Sequence, residues 1–204
     1  MIRIFNSGFA REEVKGTPKW IRVEKRDLKS HVDNPAAGEA YLQELTDYRP
    51  DGKKAERSIF RLDGTLSYRE VYEYAADGHL TKLVTFDGTG RIAQVKDADG
   101  QELTNDPFGL PTRVDVIRTG DVLVMTTYGA DGTILTRSEM REANGRREST
   151  LIFNQNPVAQ VTTIEQTDAR DVEGNWTRKT IFERYGPAGP MEAVAEIRRA
   201  IIYY

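Results

Sequence analysis

Apolar and polar residues alternate along short segments of this chain, and glycines separate the segments. In residues 66–74 the even positions are mostly aromatic or aliphatic, whereas the odd positions are mostly polar. A period of two is typical of a β-strand that presents a different surface on each face. Residues 122–128 and 158–166 are rich in the aliphatic and β-branched residues that favour strands. We predict ten or eleven strands and almost no helix.

Acidic or amide residues followed by glycine recur between these segments. The pairs are Asp51-Gly52, Asp63-Gly64, Asp77-Gly78, Asp87-Gly88, Asp99-Gly100, Asp131-Gly132, Asn144-Gly145 and Glu173-Gly174. Asp-Gly and Asn-Gly favour two-residue hairpin turns, in which both central residues reach positive φ. The spacing leaves about eight to ten residues for each strand, too few for a crossover helix, so the strands are predicted to be antiparallel.

The predicted fold is therefore all-β: an antiparallel meander of hairpins that forms a single extended, twisted sheet with little helix. Residues 45–204 form the hairpin-repeat domain, with a bend or interruption near residues 104–113, where two prolines break the pattern. Residues 1–44 form an N-terminal segment that covers the sheet or supplies an opening strand. A short helix is predicted over residues 36–45. Residues 190–204 fit a helix by propensity and a strand by alternation.

Two blocks of the sequence resemble the YD-repeat, or Rhs-type, β-meander proteins of bacteria. The first is Tyr74-Ala-Ala-Asp-Gly-His-Leu-Thr-Lys-Leu-Val-Thr-Phe-Asp87, which is followed by Asp97-Ala-Asp-Gly100. The second is Asp171-Val-Glu-Gly-Asn-Trp-Thr-Arg-Lys179 with Ile197-Arg-Arg-Ala-Ile-Ile-Tyr-Tyr204, similar to the GNWT…YY ending of uncharacterised exported members. The resemblance implies that residues 190–204 form a strand. It also implies a periplasmic or cell-surface location.

Composition excludes several classes of function. The 29 basic and 32 acidic residues give a net charge of −3, so the chain has no general attraction to nucleic acid. The absence of cysteine excludes a disulfide framework, a thiol nucleophile and every cysteine-based zinc site. The two histidines, His31 and His79, give no metal-ligand spacing. No stretch of sequence is long and apolar enough to predict a membrane span.

No motif predicts catalysis or cofactor binding. Gly88-Thr-Gly-Arg-Ile-Ala93 has the form of a dinucleotide fingerprint, but the next turn leaves no room for the helix that such a site needs. Asp97, Asp99 and Glu102 lack the spacing of a calcium loop. The nucleophile motif G-x-S-x-G is absent. We therefore expect no enzyme activity, no catalytic residue, no metal and no cofactor.

Five aromatic residues near predicted strand ends are the candidates for binding: Tyr72, Tyr74, Phe86, Tyr128 and Trp176. They either cover the sheet or form an exposed row that binds sugar rings or the apolar surface of a partner. Basic residues on neighbouring hairpins lie among glutamates, so we expect charge pairing between strands. The residues concerned are Arg137, Arg141, Arg146, Arg147, Arg178 and Lys179, with Glu139, Glu142 and Glu148.

The sequence thus favours a non-catalytic structural or protein-interaction module of the cell envelope or surface. Its sheet edges would pair with another copy or with a partner chain. The strand that ends in Ile201-Ile-Tyr-Tyr204 is predicted to be one such edge. The alternative is a carbohydrate-binding module that uses the aromatic face, with a glycan as its partner.

Overall fold

The computed structural model describes residues 14–29, 38–97, 114–128, 132–144, 146–153 and 156–204. These residues form thirteen β-strands in one sheet: β1 (Pro18–Asp27), β2 (Ala40–Tyr48), β3 (Lys54–Phe60), β4 (Leu66–Tyr74), β5 (Leu80–Asp87), β6 (Ile92–Asp97), β7 (Val114–Thr119), β8 (Val122–Tyr128), β9 (Ile134–Ala143), β10 (Arg146–Phe153), β11 (Asn156–Arg170), β12 (Trp176–Tyr185) and β13 (Glu192–Tyr203). The described residues contain no helix. The predicted all-β fold is confirmed, with more strands than expected.

The first and last strands, β1 and β13, lie side by side at the centre of the sheet. The order across the sheet is β6-β5-β4-β3-β2-β1-β13-β12-β11-β10-β9-β8-β7, and every neighbouring pair is antiparallel. Strands β1 to β6 extend towards one edge, and β7 to β13 return from the opposite edge. Strands β6 and β7 do not pair with each other, so the sheet is open.

Two sequence predictions are wrong near the centre of this sheet. The C-terminal strand β13 is not an edge, because β1 and β12 pair with it on its two sides. The helix predicted over residues 36–45 is replaced from Ala40 onward by β2, whose pairing with β1 and β3 outweighs the helix propensity of these residues. Residues 192–203 are a strand, as the family resemblance implies. The interruption predicted near residues 104–113 lies outside the described residues.

Five hairpin loops share a geometry that differs from the predicted two-residue turn. After β3, the amide of Gly64 donates to the carbonyl of Arg61 at 3.0 Å, and the amide of Arg61 donates to the carbonyl of Thr65 at 2.8 Å. This is a type I turn followed by a glycine with φ 79°. The same pattern of bonds recurs at Gly52, Gly78, Gly90 and Gly174.

Aspartate therefore has a different role in these turns from the one predicted. The Oδ1 atom of Asp63 accepts bonds from the amide of Thr65 at 2.9 Å and from its hydroxyl at 2.6 Å. Such a bond from a side chain stabilises the turn without any need for positive φ at the aspartate. Among the described residues, Asn144 is the one non-glycine residue with positive φ, at 52°.

The described part of the sheet is one layer thick. Each strand there contacts only the strands beside it. In a single layer, longer neighbours on the same face shield a side chain, and the most completely buried side chains are the short Thr46 and Thr162. The buried apolar residues are Ile21, Val84, Met125, Ile164, Val194 and Ala195. Burial is thus spread along the sheet and is not concentrated in a core between two layers.

Candidate functional site

Tyr72 and Tyr74 lie close together on β4, but their hydroxyls and rings already have partners. The Tyr72 hydroxyl donates to Oε2 of Glu70 at 2.9 Å, and the Tyr74 hydroxyl donates to the carbonyl of Lys54 at 2.8 Å. Burial raises the pKa of Tyr72, and the neighbouring Glu70 raises it further. The guanidinium of Arg49 lies 5.2 Å from the centre of the Tyr74 ring. These contacts give both tyrosines a structural role.

Phe86 and Trp176 also have cations against their rings. The guanidinium of Arg69 lies 4.9 Å from the centre of the Phe86 ring. The Trp176 ring contacts two cations, Arg199 at 4.0 Å and Lys179 at 4.4 Å. Because a cation over an aromatic face is attracted by the ring's quadrupole, both rings are stabilised where they lie.

The five predicted aromatic residues do not form one row. Phe86 lies opposite Arg69 in the sheet, which places it on the other face from Tyr72, three residues along β4. Tyr128 is half-buried at the end of β8, opposite Ile134. The register of the sheet, which the sequence alone does not give, thus separates these side chains.

Asn175, in the Gly-Asn-Trp-Thr block, joins the segment before β1 to the last strand, β13. Asn175 is buried, and its Oδ1 accepts from the amide of Lys15 at 2.8 Å. Its Nδ2 donates to the carbonyl of Lys15 at 3.0 Å and to the hydroxyl of Tyr203 at 2.8 Å. The Tyr203 ring leaves no room for a side chain at Gly16, where an added Cβ would lie 2.9 Å from a ring carbon. We call Lys15, Gly16, Asp171, Asn175 and Tyr203 the terminal joint.

A carboxylate completes the terminal joint. The Tyr203 hydroxyl donates to Oδ2 of Asp171 at 2.6 Å, and the amide of Asn175 donates to its Oδ1 at 2.8 Å. Desolvation opposes ionisation of Asp171, but these hydrogen bonds outweigh it and hold its pKa below the ordinary value. Burial raises the pKa of Tyr203, and its bond to Asp171 raises it further. The block that carries the family resemblance is therefore structural.

The predicted charge pairing between strands is confirmed for Arg147 and Lys179, whereas Arg137 and Arg146 pair within their own strands with Glu139 and Glu148. Arg147 lies 3.1 Å from Glu142 and 3.8 Å from Glu165, and Lys179 lies 3.3 Å from the same Glu165 carboxylate. The other half of the sheet has a similar network, in which Arg57 bonds Glu44 at 2.8 Å and Glu70 at 3.4 Å.

Burial and ion pairing shift the pKa of Glu44 in opposite directions. Desolvation by itself raises the pKa of this carboxyl, but the hydrogen bond from Arg57 and its positive charge outweigh that effect. The pKa of Glu44 is therefore lowered, and Glu44 stabilises the sheet in its ionised form.

An open groove with a volume of about 620 Å³ lies across β1, β13 and β12. The residues that line it are Trp20, Arg22, Glu24, Ala169, Thr177, Arg178, Arg198, Arg199 and Ala200, and the side chain of Arg199 is buried against the Trp176 ring. Arg22 lies opposite Ala200, and Arg198 lies opposite both Glu24 and Arg178. We call this the arginine groove. The sequence analysis did not identify Trp20, Arg22 or Arg198 as a site, because only the pairing of β1 with β13 brings them to Arg178.

Strand β7 forms one edge of the sheet and is rich in exposed apolar surface. Val116 is 51% exposed and Ile117 is 61% exposed. As consecutive residues of a strand, they present apolar surface on both faces. No described strand pairs with β7 on the side away from β8. Strand β6 forms the other edge, where Ile92 is 60% exposed.

Within the described ranges, no group of three or more histidine, aspartate or glutamate residues is placed to hold a metal ion. The same part of the chain has no helix with the length and apolar character needed to cross a membrane.

No family model matches the chain, and no curated protein matches it. The chain is similar to a solved structure, a porin-like protein from Bacteroides uniformis, with 11% sequence identity and a TM-score of 0.38. The similarity covers 91% of this chain and 96% of that chain. We transfer neither a function nor a location from a similarity of this size.

Proposed function

We propose that this protein is a non-catalytic interaction module that self-associates through edge strand β7. The observation that carries the proposal is the pair Val116 and Ile117, both more than half exposed on an edge strand. An open edge is a template for pairing with another strand, and proteins often protect such edges with proline or with charged side chains, especially lysine. Residues 114–119 contain neither proline nor lysine, and their two charged residues, Asp115 and Arg118, lie on either side of the apolar pair.

The sequence of β7 favours a second copy of the chain as its occupant. In a symmetric antiparallel pair centred on Ile117, Val116 lies opposite Arg118 of the other copy, and Asp115 lies opposite Thr119. Like charges do not face each other in this register, and the apolar residues meet at its centre. Antiparallel pairing also continues the arrangement of the thirteen strands.

A location at the cell envelope or surface is part of this proposal. It is supported by the resemblance of residues 45–103 and 120–204 to exported bacterial repeat proteins. In that setting the module would connect copies of the chain without chemical change to a substrate.

Sedimentation of the full chain tests the self-association. We expect a dimer that dissociates on dilution, and we expect the double substitution V116K/I117K to give a monomer at every concentration. In the antiparallel pair, the lysine introduced at position 117 faces its equivalent in the other copy, and the lysine at position 116 faces Arg118. Like charges then repel across the edge, while the folded monomer keeps its pairing with β8.

Val172→Lys is the matched control, because Val172 is 99% exposed but lies in the loop between β11 and β12. This variant should associate as the unchanged chain does. A wild-type chain that stays monomeric at high concentration, or a V116K/I117K variant that still dimerises, overturns the proposal.

A sugar-binding aromatic face is the weaker candidate. A sugar that stacked on Tyr74, Phe86 or Trp176 would compete with the cations that already contact these rings. No described observation favours that platform over the edge.

A further inference from the structure

We propose that the arginine groove binds an acidic saccharide, meaning a sugar ring that carries a carboxylate. This function is separate from self-association, since the groove lies at the centre of the sheet and β7 lies at its edge. The groove also contains none of the five aromatic residues that the sequence singled out.

The first argument is the unfavourable pairing of two arginines. Arg178 lies directly opposite Arg198 in neighbouring strands, and like charges in this position destabilise an antiparallel pair. Arg22 is a third guanidinium on the same groove, where it forms an ion pair with Glu24 at 2.6 Å. An anion bound between these groups removes the repulsion and gains charge-assisted hydrogen bonds.

The second argument is that the carboxylates in the described part of the chain leave donors of Arg178 and Arg198 unused. Arg198 contacts Glu196 through Nε at 2.8 Å, and Arg178 approaches Asp168 through Nε at 4.0 Å. Within the described part of the chain, the terminal Nη groups of both arginines make no hydrogen bond. A carboxylate accepts two parallel bonds from such groups, a geometry that neither contact provides.

The third argument is the mixed chemistry of the walls. Trp20 supplies an aromatic surface for the apolar side of a sugar ring. The carboxylate of Glu24 is paired with Arg22 through Oε1 and can accept further bonds from hydroxyl groups. Ala200 lies opposite Arg22, and its short side chain leaves room for a ligand between the longer side chains of the groove. The volume of about 620 Å³ is that of a small-ligand site.

The same walls disfavour a nucleic acid. Glu24 and Glu196 lie beside the arginines, and the net charge of the chain is −3. A backbone with one phosphate per nucleotide would place further negative charges against these carboxylates, whereas a single sugar acid has one carboxylate, which can bind between Arg178 and Arg198.

Calorimetric titration of the full chain with galacturonate, a single sugar ring with one carboxylate, tests the proposal, with the methyl ester of the same sugar as the neutral comparison. We expect the acid to bind and the ester to bind about tenfold more weakly or not at all, because esterification removes the charge-assisted bonds. The double substitution R178Q/R198Q should weaken binding of the acid by about tenfold or more.

Arg146→Gln is the matched control, because Arg146 has a similarly exposed side chain and one carboxylate neighbour, Glu148, at 3.8 Å. Its binding should stay within about twofold of the unchanged chain. Absence of binding by the acid, equal binding by the ester, or equal loss in Arg146→Gln overturns the proposal. Displacement by sulfate as effective as displacement by the sugar acid also overturns it, because the groove would then be a general anion site.

Discussion

The centre and the edge of the sheet differ in what holds them in place. At the centre, β1 and β13 are each paired on both sides, the terminal joint fastens Lys15 to Asn175, and a buried ion pair joins Lys25 to Asp27 at 2.8 Å. At the edge, β7 is paired only with β8 among the described strands, and Val116 and Ile117 are exposed.

This contrast separates stability from association. A single-layer sheet has no second layer to hold its strands, so the buried polar contacts at the centre are costly to remove. Residues at the edge bury little and can be changed at little cost to folding. We therefore expect substitutions at the centre to change the free energy of unfolding, and substitutions at β7 to change only self-association.

The largest expected effect is that of Lys25→Ala. The substitution removes one member of a buried ion pair and leaves Asp27 charged in a buried position. Removal of one partner of such a pair costs about 3 to 5 kcal/mol. Urea unfolding of a monomeric sample, followed by circular dichroism, measures the loss.

A double variant distinguishes the lost charge balance from lost packing. Lys25→Met with Asp27→Asn removes both charges and keeps most of the side-chain volume, so it should recover much of the stability. If Lys25→Met alone is as stable as the unchanged chain, the ion pair does not hold the centre together.

Asn175→Ala should have the next largest effect. It removes the three side-chain hydrogen bonds to Lys15 and Tyr203, at a cost of about 3 kcal/mol. The control is Gln166→Ala, an exposed amide with a 3.4 Å contact to Asp168, which should change stability little. Equal effects of the two substitutions would contradict a special role for the terminal joint.

The hairpins were predictable from the sequence because their signals are local. Strand segments alternate, glycines mark the loops, and each neighbouring pair within β2 to β6 is close in the chain. The pairing of β1 with β13 was not predictable in this way, since it joins residues about 180 positions apart. The mistaken helix over residues 36–45 has the same origin: local propensity gave way to pairing with β1 and β3.

The candidate sites show the same limit. Tyr72, Tyr74, Phe86, Tyr128 and Trp176 were chosen as aromatic residues near strand ends. Three of the rings, those of Tyr74, Phe86 and Trp176, are covered by cations whose positions depend on the fold. The arginine groove needs Arg198 opposite Arg178, and this register is set by the bulge between Ile181 and Phe182 as well as by the loop. The sequence analysis could single out Arg178 as a basic residue on a hairpin, but it could not predict that Arg198 lies opposite it.

Acidification should lower the free energy of unfolding by a smaller amount through Glu44, which lies in β2 beside the central strand β1. Glu44 has a lowered pKa in the folded protein, against an ordinary value of 4.5, because the bond to Arg57 outweighs desolvation. A lowered folded pKa gives stability that is complete above the unfolded pKa and is lost as the pH falls through the folded pKa. Unfolding free energy should therefore fall below about pH 4.5, and the fall should be shallower in Glu44→Gln. An unchanged pH dependence in that variant would assign the acid sensitivity to other carboxyls, such as Asp171.

The smallest effect on stability is expected at the edge itself. V116K/I117K should change the free energy of unfolding of the monomer by less than about 0.5 kcal/mol, because both side chains are more than half exposed. The strand keeps its backbone bonds to β8, since lysine retains the amide and carbonyl of the residue that it replaces. Urea unfolding at a concentration where the unchanged chain is monomeric measures this difference, and Val172→Lys gives the background. A loss as large as that of Asn175→Ala would show that β7 contributes to folding as much as the centre does, and the separation between a stable centre and an associating edge would fail.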